Sequence, residues 1–182
     1  GGDENGISLW TLNGTGQLTF QNARGDDQAG ASETDPQGNN LGRDLVSPIE
    51  TGLWDVDAGT FAEINGQTYL FVGGTDDDVA IFRIDADTVN NDGTYDLTLV
   101  GHVDNIVTDI STMEYLETDS GGVLVVGGEP PGLEYHTVTV NPDGTVTLTQ
   151  VATSPDGAEG SAELLDSESM DVEGGILVSA SD

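Results

Sequence analysis

A recurring Gly-Gly pair punctuates this chain and limits its fold more than any other feature. Gly1-Gly2 opens GGDENGISLW, Gly73-Gly74 opens GGTDDDVAIF, and Gly127-Gly128 opens GGEPPGLEYH. The closing stretch ILVSASD, Ile176 to Asp182, stands where LFVGGTD and VVGGE stand in earlier copies. A spacing of roughly 50 residues is the mark of stacked supersecondary units. The first interval is longer because a Gly- and Asp-rich loop, residues 24–52, intervenes.

In the copy that begins at Leu53, the apolar runs LWDVDAGTFAEI, TYLFVGG, VAIFRIDAD and YDLTLVGHVD are separated by turn residues, which predicts four strands. TYLFV and VLVVGG are almost continuously apolar, as in strands covered on both faces; VAIFRI and VTLTQV alternate. Asn13-Gly14-Thr15-Gly16, Asn91-Asp92-Gly93-Thr94 and Asn141-Pro142-Asp143-Gly144-Thr145 fall at equivalent places and carry the residues that tolerate positive φ in hairpin loops. No segment sustains a capped 3.6-residue apolar period, so helix is expected to be nearly absent.

Four antiparallel strands in roughly 50 residues make one blade of a β-propeller. The expected fold is all-β, with three repeats per chain: outer strands of a first blade in 1–23, a long loop in 24–52, blades in 53–105 and 106–157, and inner strands of a closing blade in 158–182. Propellers typically need about 4 to 8 blades. Either two chains close a six-bladed ring as a homo-oligomer, or these repeats are a window of a longer polypeptide.

Charge decides which partners are excluded. Against 34 acidic residues stand only Arg24, Arg43 and Arg83, with no lysine, for a formal charge of -31. Binding nucleic acid or an anionic membrane depends on basic side chains displacing counterions, so neither is an expected partner. Such charge is tolerable in high salt or among divalent cations, which points to an extracellular setting. The sequence has no cysteine, hence no disulfide, and no apolar run near the ~18 residues of a membrane span. With no initiating Met and no leader pattern, it reads as a piece of a longer precursor.

NGQTYLFVGGTDDDVAIFRID resembles the repeats of bacterial secreted propellers of the lactonase-like, YVTN-type group. The likeness covers most of Leu53 to Asp104 and is weaker in the other copies. It implies a propeller in an extracellular setting, several relatives being acidic and attached to calcium-binding export modules. No active-site motif of its enzymatic members maps onto this sequence.

Where each inner strand begins, Asp57-x-x-Thr60, Asp109-x-x-Thr112 and Asp166-x-x-Ser169 form a polar column. Asp57, Asp109 and Asp166 are therefore candidate metal ligands, a carboxylate ring for Ca²⁺ at one mouth of a central channel. The competing reading is that each aspartate caps a turn through its own backbone. The acidic turns Asp3-Glu4-Asn5 and Asp76-Asp77-Asp78 lack the tandem spacing of calcium nonapeptides and read as solvated loops. His102 and His136 stand alone on strands, without zinc spacing, and read as structural. Trp10, Trp54, Tyr69, Phe71, Phe82, Tyr115 and Tyr135 read as packing between sheets. Arg24-Gly25-Asp26 is an integrin-like tripeptide in the long loop.

No nucleophile elbow, phosphate loop or catalytic cysteine is present. The leading expectation is a non-catalytic module for binding or scaffolding, with calcium as a possible stabiliser and its ligand undefined. The alternatives are a lactonase- or hydrolase-type enzyme using metal-bound water at Asp57, Asp109 and Asp166, and an adhesin-like protein presenting the long loop.

Overall fold

The computed structural model describes residues 6–25, 32–34, 40–44, 56–75, 77–86, 95–118, 121–128, 132–155, 167–173 and 176–181. Among them every regular element is a strand, and all the strand pairings are antiparallel. β1 (Gly6–Leu12) and β2 (Leu18–Gly25) form a hairpin, and β3 (Ser32–Thr34) and β4 (Asn40–Asp44) form a short ladder inside the expected long loop. Two four-stranded sheets follow. The first runs β5 (Val56–Ile64), β6 (Gln67–Gly74), β7 (Val79–Ala86), β8 (Tyr95–Val103); the second runs β9 (Ile110–Thr118), β10 (Gly121–Gly128), β11 (Gly132–Val140), β12 (Val146–Pro155). β13 (Ser167–Glu173) and β14 (Ile176–Ser181) make a last hairpin.

Local sequence explains the hairpins. Asn65 and Gly66 join β5 to β6 with φ of 54° and 76°, the paired positive φ of a type I′ turn that matches strand twist. The β1–β2 and β11–β12 loops are built alike. Gly16 N–H donates to Asn13 O at 3.0 Å and Gly144 N–H to Asn141 O at 2.9 Å, with both glycines at positive φ. Asn13 Oδ1 accepts from the Thr15 and Gln17 amides; in the later loop Asp143 Oδ1 accepts from the Thr145 amide and hydroxyl. The loop at 91–94 lies outside the described residues.

Strand sequence also sets the layering. β5 alternates exposed and buried residues along its middle, whereas β6 and β10 end in fully buried runs, as expected of strands covered on both sides. The two four-stranded sheets pack against each other around Phe71, Ile81, Ile110, Leu124 and Val126, all without solvent exposure. Phe71 stacks on Tyr115 with ring centroids 6.1 Å apart, planes 12° from parallel. Burying one such aromatic stabilises the fold by roughly 1.5–3 kcal/mol. On the other face of the first sheet, Val72, Ala80, Phe82 and Leu97 form a smaller cluster against Ile7 and Leu9 of β1.

Matching strands meet in matching order. β5 lies against β9 and β9 against β13; β2 lies against β8 and β8 against β12. First strands are thus stacked on first strands, and last on last. Near the end of β8, a Cβ on Gly101 would fall 2.6 Å from the carbonyl oxygen of Val146, at the start of β12. The fourth strands therefore meet end to start, while β5 and β9 make the most extensive contact between the sheets. This geometry is compatible with blades fanning about an axis.

Candidate functional site

The handover from the first sheet to the second is polar and tightly stitched. Asp77 O accepts from Ile106 N–H at 2.8 Å, and Asp77 Oδ1 accepts from Asp109 N–H at 3.2 Å. Asp78 Oδ1 accepts from Asn105 N–H at 3.3 Å. The β6–β7 turn is in this way bound to the segment linking β8 to β9. Asp77, Asn105 and Asp109 all have positive φ, at 64°, 58° and 47°. Asn and Asp are the residue types that tolerate this conformation best after glycine.

His102, near the end of β8, joins the same junction. Its Nε2 lies 3.3 Å from Asp78 Oδ2 and its Nδ1 lies 3.2 Å from Asp104 Oδ1. Nε2 is sealed from solvent, and although close to Asp78 it has no aligned hydrogen bond. Burial raises the pKa of Asp78 above the usual carboxylate value; the neighbouring imidazole and the Asn105 amide offset part of that rise. One donor atom from each of Asp78, His102 and Asp104 lies within 4.8 Å of the other two.

An imidazole with two carboxylates suits a divalent transition metal, because Ca²⁺ takes 6 to 8 oxygen ligands and imidazole favours zinc, copper, iron or nickel. A cation would also give Nε2 a direct bond in place of its poorly aligned approach to Asp78. Three protein donors leave further positions to water, so the group offers an open coordination sphere.

The aspartate column expected at the starts of the inner strands is only partly in register. Asp57 is an exposed bulge residue: Val56 pairs with Gly74 and Ala58 with Gly73, leaving Asp57 without an opposite residue. The same bulge falls at Ser111 in β9 and at Glu168 in β13. The position equivalent to Asp109 and Asp166 is accordingly Asp55, two residues before Asp57. Asp55 and Asp166 lie outside the described residues, as do Asp3, Glu4 and Trp54. Register also makes Ala180 the counterpart of Gly73 and Gly127.

Two other expectations change. Asp77 and Asp78 form the junction instead of a free solvated turn. His136 is not alone: its Nε2 lies 2.9 Å from Glu134 Oε2, with the residues 4% and 7% exposed. Tyr69, Phe71 and Phe82 are buried packing residues as expected, whereas Trp10 is 40% exposed. No helix in the described residues is long and apolar enough to cross a membrane. Comparison with protein-family models, characterised proteins and solved structures gives no match for this chain.

Proposed function

We propose that this protein is an extracellular, non-catalytic β-propeller module that binds or scaffolds a partner, in which a divalent cation at Asp78, His102 and Asp104 fastens one blade to the next. The observation that carries this reading is the stacking order. First strands lie side by side and fourth strands meet end to start, as blades do when they radiate from an axis. In this reading 53–105 and 106–157 are blades. The acidic surface keeps the module soluble in salt or among divalent cations.

The junction supplies the second support. It ties together the turn and the linker that any rotation of one sheet against the other would pull apart, and its donors are mixed nitrogen and oxygen. Melting in EDTA, in Ca²⁺ and in Zn²⁺ tests the cation. A cation at about 100 times its Kd stabilises the native state by about 2.7 kcal/mol. Zn²⁺ should raise the melting temperature of the wild-type chain more than Ca²⁺ does, and Asp78→Ala should abolish the rise. Melting indifferent to all three additions contradicts the cation role.

A further inference from the structure

The β1–β2 loop repeats the backbone of the β11–β12 loop and departs from it in one chemical respect. In each, a glycine amide returns to an asparagine carbonyl, Gly16 to Asn13 and Gly144 to Asn141. Asn141 is followed by Pro142, whereas Asn13-Gly14-Thr15 is the one Asn-x-Thr or Asn-x-Ser triplet in the sequence. That triplet, with any residue but proline in the middle, is the acceptor motif for asparagine-linked glycans, and it needs a surface loop.

The β1–β2 loop supplies that surface. Asn13, Gly14 and Thr15 are exposed, and a Cβ added to Gly14 would meet nothing within 4 Å. The amide and the hydroxyl of Thr15 both donate to Asn13 Oδ1, at 3.0 and 2.7 Å, so the two side chains of the motif are already joined. Asn13 Nδ2 carries two hydrogens, one of which goes to Gln17 Oε1 at 3.3 Å. Exchanging the other for a sugar carbon keeps every bond of the loop. At the root of the loop Leu12 and Leu18 stand opposite each other, 67% and 61% exposed, an apolar step on a chain of formal charge -31. Sugar rings present C–H faces that rest on such a step.

We propose that Asn13 is an attachment site for an asparagine-linked glycan whose first sugars lie over Leu12 and Leu18. The site rests on the extracellular setting proposed above and adds a covalent partner to it. In the transfer, Nδ2 forms a bond to the anomeric carbon of a saccharide carried as the phosphate or pyrophosphate ester of a membrane lipid. The bond from that carbon to the phosphate oxygen breaks, the lipid phosphate leaves with the electron pair, and Nδ2 gives up one proton to the transferase.

The full chain, sent through the secretory pathway of a cell with an Asn-x-Thr transferase by an added, cleavable leader, should emerge heavier than its 18.9 kDa by one glycan. Peptide-N-glycosidase should remove that glycan and convert the Asn13 amide to a carboxylate. Thr15→Ser should keep the glycan. Gly14→Pro should lose it with an unchanged far-UV spectrum, because Gly14 is not at positive φ and proline already holds that place in the sister loop. The glycosylated chain should bind less of an apolar dye than the same chain after enzymatic removal, and the double change Leu12→Ser, Leu18→Ser should erase the difference. Secreted wild type without a glycan, a glycan that survives Gly14→Pro, or equal dye binding before and after removal would each overturn the proposal. The leader imposes secretion, and the loop shares no residue with the junction at Asp78, His102 and Asp104. A bare Asn13 therefore sinks the glycan site and leaves the proposed module standing; melting indifferent to EDTA, Ca²⁺ and Zn²⁺ sinks the cation role and leaves the glycan site standing.

Discussion

The two faces of the first four-stranded sheet have similar strand chemistry and different cover. One face meets a whole second sheet, and Phe71, Ile81 and Val79 vanish from solvent beneath it. The other meets a two-stranded hairpin, which buries Phe82 and Leu97 under Ile7 and Leu9 but leaves Phe61 open. Alternation along a strand fixes which residues share a face. How much of that face is buried depends on how many strands the neighbouring layer brings.

The largest effect that separates the faces should come from the aromatic residues. Phe71→Ala removes a fully buried ring from the covered face and should cost about 3–5 kcal/mol in urea denaturation. Phe61→Ala on the open face should change stability by no more than about 0.5 kcal/mol. Equal losses at both positions would break the contrast.

Close backbone approach gives the next effect. Gly101→Ala places a methyl group against the Val146 carbonyl and Ile81, where backbone cannot yield, and should cost about 1–3 kcal/mol. The same change at Gly14, with open space around it, should be within about 0.5 kcal/mol. A similar loss is expected at the buried pair. Leu124 and Val126 stand opposite His136 and Glu134 on the covered face, so Glu134→Ala leaves a buried imidazole unpaired and should cost about 1–3 kcal/mol in thermal denaturation.

How legible was this in the sequence? The hairpins were, because Asn65-Gly66 and the two Asn-to-Gly loops dictate their own backbone. The strands were legible from short apolar runs bounded by turns. The aspartate column was displaced in its first member because Thr60-Phe61 imitates the Thr112-Met113 and Ser169-Met170 pairs, while the bulge that sets true register lies at Asp57. The junction was hidden for another reason. Asp78 lies in the β6–β7 turn and His102 on β8, and only the pairing of β7 with β8 brings them together. The run HVDN at the end of an outer strand, opposite an acidic turn, was the available signal.

The smallest expected effects are electrostatic, and they oppose one another. Burial raises the pKa of Asp78, so its proton is held more tightly in the folded chain than in the unfolded one. Its contribution favours folding at low pH and is lost as pH rises from the ordinary 3.8 through the raised value. Hydrogen bonds from Thr145 lower the pKa of Asp143, whose contribution is present above 3.8 and lost as pH falls through the lowered value. Carboxyl titration of the cation-free chain followed by NMR should place Asp78 above 3.8 and Asp143 below it; the reverse order would contradict the two environments.

Distances between equivalent points on neighbouring sheets test the fan geometry itself. Glu63 in β5 and Glu117 in β9 occupy the same register position, as do Thr98 in β8 and Thr149 in β12, and all four are exposed. Nitroxides placed at each pair through cysteine substitution can be measured by pulsed electron resonance, with unlabelled chain in excess so that only distances within one molecule count. The separation between 63 and 117 should be clearly shorter than that between 98 and 149. Equal separations, or a shorter outer one, would mean that the sheets stack without diverging, and the propeller reading would fail.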